Sequence, residues 1–125
     1  MSAVCLAAGA LATVLATDAF TLSWVHSVEK VEWQEDYRVV DGALVLQEAR
    51  IKGSGAGMEP PDGAVLREGW WTYRPAMAQI EILRLTRSEF AADYRLCWAD
   101  ACRSLGEILP GLADSAVIEL NPCAS

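Results

Sequence analysis

The feature that most constrains the fold is an alternation of apolar and polar residues that begins at Phe20. It falls into three runs, which read FTLSWVHS, VEWQEDYRVV and ALVLQEARI. Successive side chains of a strand point to opposite faces, so this period of two predicts half-buried β-strands rather than helices. Asp41-Gly42 separates the second run from the third and is typical of a two-residue hairpin turn. The chain is therefore predicted to be built from antiparallel strands.

Short alternating runs separated by turn signals continue along the rest of the chain. The candidate strands are 19–28, 31–40, 43–52, 69–75, 79–86, 92–98, 101–105 and 116–121. This pattern predicts an all-β fold, a single antiparallel β-sandwich or barrel-like domain of about seven to nine short strands. Residues 53–68 are predicted to form one long loop, and residues 106–115 a short helical turn around Pro110. At 125 residues, the chain is expected to form one domain over 1–125.

The four cysteines form an even set that is compatible with two disulfides. Cys97 and Cys102 flank a four-residue segment expected to be a hairpin loop, and Cys5 and Cys123 would join the two ends. Four cysteines allow three connectivities, and spacing alone does not choose among them. Disulfides would indicate an oxidising compartment, here the periplasm or another extracytoplasmic space. One histidine and a single C-x4-C spacing do not make a zinc site, so no metal or other cofactor is expected.

The N-terminal stretch of the chain permits two interpretations. Residues 3–16 read AVCLAAGALATVLA, with no Lys or Arg before them. Residues 1–17 are either the remnant of a signal segment or a first strand pair that turns near Gly9-Ala10. The run is too short and too rich in alanine to predict a membrane span. Both interpretations stay open.

Charge restricts the classes of partner. The net charge is −7, with ten Lys and Arg against seventeen Asp and Glu. A nucleic-acid-binding domain needs a basic face, which this composition does not supply. Binding to nucleic acid is therefore not expected, whereas cationic or neutral partners remain open.

Polar residues occupy the apolar positions of all three alternating runs. His26 follows Trp24 on one face of the first run, and Glu35 follows Trp33 on one face of the second. Glu48 shares its parity with Leu44 and Leu46 in the third run. If the first two runs turn near Lys30, His26 lies opposite Glu35, within hydrogen-bonding range. Three interpretations follow: a pair that fixes the strand register, a polar pocket for a small ligand or cation, or an acid–base pair.

The sequence offers no convincing catalytic arrangement, so an enzyme is not predicted. His26 and Ser27 are neighbours on a strand and face opposite ways, which excludes a nucleophile–base pair. The glycines at 53, 55 and 57 are not followed by a helix, because Pro60 and Pro61 come too soon, so they do not form a nucleotide-binding loop. They are expected to allow a tight turn of the backbone. Trp70 and Trp71 open the fourth predicted strand on opposite faces, and one of them is a candidate anchor for a partner.

The chain resembles an uncharacterised bacterial family in three segments. These are FTLSWVHSVEKVEWQEDYRV, ARIKGSGAGMEPPDG and GWWTYRP, within about residues 18 to 105. Members of that family are small domains of unknown function, often encoded beside TRAP transporters of the TAXI class. The resemblance implies an extracytoplasmic β domain accessory to solute uptake, with the transporter's membrane subunit or solute receptor as partner. The motif positions are His26, Ser27, Glu29, Glu35, Gly53, Gly55, Gly57 and Glu59.

Two hypotheses about function follow from these observations. In the first, the chain is a non-enzymatic interaction domain linked to a TRAP-type transporter, and it presents an exposed apolar patch around a tryptophan. In the second, it is a small-ligand or cation-binding module in which His26, Glu35 and Glu48 converge beneath the Gly53–Gly57 loop. The two hypotheses are separated by whether Glu35 and Glu48 are fully satisfied inside the core or open to solvent.

Overall fold

The structure, a computed structural model, describes residues 2–25, 31–53, 63–75 and 79–124. In these ranges the chain forms twelve strands and one short helix. In chain order they are β1 (Ser2–Ala8), β2 (Leu11–Leu15), β3 (Ala19–Val25), β4 (Glu32–Val40), β5 (Ala43–Lys52), β6 (Val65–Arg67), β7 (Trp70–Tyr73), β8 (Gln79–Ile80), β9 (Leu83–Thr86), β10 (Arg95–Trp98), β11 (Ala101–Ser104), α1 (Leu105–Ile108) and β12 (Val117–Ala124).

The strands form two antiparallel sheets. The small sheet has the order β2-β1-β12-β9. The large sheet has the order β11-β10-β3-β4-β5-β7-β6, and β8 pairs with β5 beside this path. Residues 2–15, for which we considered a signal segment or a strand pair, form the hairpin β1–β2 of the small sheet. The chain thus begins in the small sheet with β1–β2 and returns to it twice, for β9 and for β12.

The core lies between the facing sides of the two sheets. The small sheet contributes Val4, Leu6, Ile118 and Leu120, all fully buried. The large sheet contributes a matching set, which comprises Phe20, Leu22, Tyr37, Leu44 and Leu96. Because a strand places alternate residues on one face, the apolar positions of each run meet across this interface. The fold is a β-sandwich.

Three two-residue turns connect neighbouring strands of the large sheet. Asp41-Gly42 joins β4 to β5, Glu68-Gly69 joins β6 to β7, and Ala99-Asp100 joins β10 to β11. All six turn residues have positive φ, the backbone that a type I′ hairpin requires. Glycine adopts this conformation without steric cost, whereas Ala99 adopts it at φ 50° despite its Cβ.

Both disulfides join strands that are already close. Cys5 and Cys123 connect β1 to β12, and Cys97 and Cys102 connect β10 to β11. The two pairs proposed from the sequence are confirmed. Cys97 lies directly opposite Cys102 in the ladder, so the segment between them is a paired two-residue turn rather than a four-residue loop.

Four other predictions about the elements need correction. Twelve strands in the described ranges exceed the seven to nine expected, although the all-β class is confirmed. β6 lies inside the predicted loop of residues 53–68. The predicted strand 79–86 is two strands, because β8 joins the large sheet and β9 the small one. α1 ends at Ile108 rather than running around Pro110, because a proline disfavours helical backbone at the residue before it, here Leu109. Ser104 and Glu107 form a capping box at the start of α1.

Candidate functional site

The pairing of β3 with β4 places Glu35 on the inner face of the large sheet. Glu35 lies opposite Leu22, between the pairs Trp24–Trp33 and Phe20–Tyr37. The prediction that Glu35 points toward the core side is confirmed by this register. The predicted pairing of Glu35 with His26 is wrong, because Leu22 occupies the position opposite Glu35.

Glu35 is half-buried and bonded to its neighbour on the same face. The Tyr37 hydroxyl donates a hydrogen bond of 2.9 Å to Oε1 of Glu35. Burial raises the pKa of the Glu35 carboxyl above its ordinary value, against the opposing effect of this hydrogen bond. Burial also raises the pKa values of Tyr73 and Tyr94, and the charge of Glu35 raises them further. The register places Tyr73 of β7 in the same cross-strand row as Glu35, with Ala49 between them.

Glu48 is on the opposite face of the same sheet. A β-bulge interrupts the β4–β5 ladder, so that Asp36 pairs with Glu48 while Tyr37 pairs with Leu46. Gln47 is the extra residue, and it reverses the parity of every later residue of β5. The prediction that Glu48 shares a face with Leu46 is therefore wrong. Glu35 and Glu48 do not converge, and the predicted cluster of these two carboxylates is not formed.

Arg50 organises the outer face around Glu48. Its Nη1 and Nη2 donate to the two carboxylate oxygens of Asp36 at 2.8 and 2.9 Å. Nη1 also donates to Glu48 at 2.6 Å, and Nε donates to the Gln34 side chain at 3.1 Å. Although burial acts in the other direction, hydrogen bonds from Arg50 and Thr21 and the Arg50 charge lower the pKa of Asp36. The bidentate geometry makes Arg50 the centre of a structural polar network.

The outer network continues toward β3. The Ser23 hydroxyl and the Gln34 amide both donate to Oε2 of Glu32, at 3.0 and 2.9 Å. The Thr21 hydroxyl donates to Asp36 at 2.8 Å. These hydrogen bonds connect the outer residues of β3, β4 and β5. Glu32, Gln34 and Asp36 alternate with Trp33 and Glu35 along β4, so they lie on the outer face. The sequence analysis did not identify Arg50, whose alternation with Glu48 was the available signal.

Most of the motif positions lie outside the described residues. These positions are His26, Ser27, Glu29, Gly55, Gly57 and Glu59. Gly53 is described, with φ 134°, and its N–H donates to the Gly69 carbonyl at 3.0 Å. This bond ties the end of β5 to the β6–β7 turn. It is a structural contact that places Gly53 beside the β6–β7 hairpin.

The β6–β7 hairpin forms one edge of the large sheet and carries exposed apolar side chains. Val65 and Leu66 are 50% and 54% exposed, although both belong to a strand. A cavity of about 520 Å³ is lined by Lys52, Gly53, Leu66, Gly69 and Trp71. Trp70 faces the other side, with Nζ of Lys52 4.9 Å from its ring centroid. The predicted separation of Trp70 and Trp71 onto opposite faces is confirmed.

A second cavity opens where β3 and β9 end. It measures about 250 Å³, and its walls include Trp24 and Tyr94 together with Arg87 and Asp93. Arg87 donates to both carboxylate oxygens of Asp93 at 3.1 Å. Nη1 of Arg87 also donates to the main-chain oxygen of Leu112 at 3.0 Å. Arg87 and Asp93 pair with each other and close the loop of residues 87–93, so neither presents an unpaired charge to the cavity.

Within the described residues, no group of three or more His, Cys, Asp or Glu is arranged to hold a metal ion. No helix among those residues is long and apolar enough to cross a membrane.

A model of the family described as a domain of unknown function, DUF1850, matches residues 20–105. The match covers more than half of the 125 residues, and the chain belongs to this family. The matched range runs from Phe20 in β3 to Leu105 in α1, so it takes in the large sheet and β9. Neither the curated proteins nor the solved structures compared with the chain gave a match.

Proposed function

We propose that the chain is a non-enzymatic, extracytoplasmic interaction domain that assists a TRAP-type solute transporter by protein contact. The partner is the transporter's membrane subunit or its solute receptor, as the family resemblance implies. The observation that carries the proposal is the exposed apolar edge formed by β6 and β7. Two disulfides support the extracytoplasmic location, because such bonds persist in oxidising compartments.

The edge supports docking of an extended segment. Arg67 and Trp70 flank a two-residue turn and share main-chain hydrogen bonds in such a hairpin. The N–H and C=O of Leu66 then point away from β7, toward the open side of the sheet. A strand added there would form main-chain bonds with β6 and place an apolar side chain against Leu66 and Trp71. Exposed apolar edges of this kind are otherwise avoided in monomeric proteins.

Charge around the edge indicates the chemistry of the partner. Lys52, Trp70 and Arg67 form one cross-strand row on the outer face, and Arg74 follows β7 directly. Among the described residues, these three cations outnumber the nearby carboxylates of Glu68, in the turn, and Glu48, which shares a cavity with Arg67 and Arg74, although the chain as a whole carries −7. The partner segment is therefore apolar at its centre and carries carboxylates beside it.

A binding experiment with a matched control tests this proposal. The purified domain is immobilised and exposed to the solute receptor and to the detergent-solubilised membrane subunits of a TAXI-class transporter from the same source. Leu66→Asp is compared with Val14→Asp, because Leu66 and Val14 are 54% and 53% exposed and both lie on edge strands. Leu66→Asp is expected to weaken binding roughly 10- to 100-fold, the value of one buried leucine, and Val14→Asp to leave it unchanged.

Hydrogen exchange supplies a second readout of the same contact. A strand added to β6 would slow exchange of the Leu66 amide while leaving amides at the β2 edge unaffected. If neither transporter component binds, or if Val14→Asp weakens binding as much as Leu66→Asp, the proposal is wrong.

A further inference from the structure

A carboxylate surrounded by aromatic rings lies on the inner face of the large sheet, away from the β6–β7 edge. Glu35 stands between Trp33 and Tyr37 on β4, and all three side chains share that face. Across the ladder, Ala49 of β5 separates Glu35 from Tyr73 of β7. Because Ala49 is small, no bulky side chain separates Glu35 from Tyr73. Burial raises the pKa of the Tyr73 hydroxyl, and the charge of Glu35 raises it further.

The remaining walls come from β3 and from the segment before β10. Trp24 stacks on Trp33 with ring centroids 5.9 Å apart and planes inclined by 18°. Tyr94 meets Trp24 at a centroid distance of 6.2 Å and an angle of 50°, so these two rings form a corner. We refer to Trp24, Trp33, Tyr37, Tyr73 and Tyr94 as the aromatic cluster. Its members come from four segments of the chain, and Trp33, Tyr37 and Tyr73 share the inner face with Glu35.

Four of the five rings of the aromatic cluster, all except that of the buried Tyr37, are partly exposed to solvent. Glu35 is half-buried like these four, whereas the neighbouring core residues Phe20 and Leu22 are buried like Tyr37. Trp24 and Tyr94 also line the cavity of about 250 Å³ at the end of β3. The inner face thus changes from closed core to an open, ring-lined surface at the level of Glu35.

The chemistry of these groups selects one class of ligand. Aromatic faces carry negative potential and attract cations at centroid distances up to about 6 Å. A carboxylate adds a charge-assisted contact, while its charge repels anions. A divalent metal ion needs several oxygen ligands, and the described residues here offer one carboxylate. The Tyr37 hydroxyl holds Glu35 at 2.9 Å, so the carboxylate is oriented in advance.

The geometry points to a binding site for a small organic ammonium ion, held by the Glu35 carboxylate and the rings of the aromatic cluster. This site differs from the three-residue cluster predicted from the sequence, because it uses neither Glu48 nor the glycine loop. It is also independent of the proposed transporter contact, which uses Leu66 and the edge of β6.

Calorimetry with a matched pair of compounds tests the site. The probe is choline chloride, and its neutral counterpart is 3,3-dimethyl-1-butanol, in which carbon replaces the charged nitrogen. We expect choline to bind at least about tenfold more tightly than the alcohol, with ionic strength held constant by NaCl. Glu35→Gln keeps the size of the side chain and an acceptor for Tyr37, and it is expected to remove this preference.

Two further variants separate the rings from the charge. Trp24→Leu is expected to weaken choline binding about 2- to 30-fold, the range of one cation–π contact. Glu119→Gln removes an equivalent charge from the small sheet and is expected to leave binding unchanged. Circular dichroism of each variant establishes that it is folded, and Tyr94→Leu replaces Trp24→Leu if the latter does not fold.

Three results would overturn the inference. They are equal affinity for choline and the neutral alcohol, unchanged choline binding in Glu35→Gln, and no saturation by choline up to about 100 mM. The transporter-binding experiment is unaffected by any of them, since Glu35 lies outside the β6–β7 edge. Conversely, Leu66→Asp is expected to lose transporter binding and to keep its affinity for choline, so choline affinity measures this site independently.

Discussion

The two disulfides are expected to contribute unequally to stability. Cys5 and Cys123 are separated by 118 positions in the sequence, whereas Cys97 and Cys102 are separated by 5. A crosslink restricts the unfolded chain in proportion to the logarithm of the loop it closes. At 25 °C the long loop corresponds to about 5 kcal/mol of unfolding free energy and the short one to about 2 kcal/mol. Replacing each pair by alanine should reveal a difference of about 3 kcal/mol.

The folded state favours this comparison, because neither bond is needed to bring its strands together. Six residue pairs join β1 to β12, and four join β10 to β11. Removing either disulfide therefore leaves its ladder in place, and the difference arises mainly in the unfolded chain. Urea titration followed by tryptophan fluorescence gives the free energies. Cys5→Ala/Cys123→Ala should also show the larger increase in m-value, since its unfolded chain is the more expanded.

A third variant without any of the four cysteines checks additivity, because the two bonds lie in different sheets. Its loss should approach the sum of the two double variants. The reasoning is refuted if Cys97→Ala/Cys102→Ala costs as much as Cys5→Ala/Cys123→Ala, because loop length would then not determine the effect.

Four other substitutions have definite expected outcomes. Burial raises the pKa of Glu35 in the folded state, so the free energy of unfolding falls as the pH rises from 4.5 through that pKa. Above this pH window, Glu35→Gln should therefore have a higher free energy of unfolding than wild type. Below the window this difference should disappear, and unfolding titrations at several pH values measure it. Arg50→Met leaves Asp36 facing another carboxylate and should cost about 2 kcal/mol at neutral pH, less in acid. Arg84→Met breaks an exposed ion pair and should cost under about 0.5 kcal/mol in the same urea assay. Equal losses of stability in Arg50→Met and Arg84→Met would contradict this reasoning. Ala99→Gly relieves a backbone at φ 50° and should raise the unfolding free energy by about 0.5–1 kcal/mol, and a decrease would contradict the assignment of strain.

Much of the sheet structure could be predicted because it depends on local alternation. Residue parity placed Glu35 inward and Asp36 outward, and Asp41-Gly42 identified its hairpin. The even number and the positions of the cysteines suggested both disulfides. The alternation and the turn signal are local, because each needs only a few neighbouring residues and the pleat of a strand then determines which face a side chain occupies.

The candidate site was harder to predict because register and bulges are not local. Glu48 changed face because a single extra residue, Gln47, entered β5, and no Gly or Pro marks that position. Leu22 rather than His26 lies opposite Glu35, because alternation alone does not determine the register of two paired strands. The tyrosines near Glu35 come from distant segments, so only the folded sheet brings Tyr73 and Tyr94 to it.

The pairing of β1 with β12 has a consequence for anything attached to the domain. Ser2 lies opposite Ala124, so the first and last described residues are neighbours at the same end of the two central strands of the small sheet. A fluorophore, tether or fused protein would leave from this end of the sheet whichever of the two residues it is joined to. The β6–β7 edge belongs to the other sheet. Joining the two ends by a short linker and opening the chain at Asp41-Gly42 would thus give a permuted domain with the same two sheets.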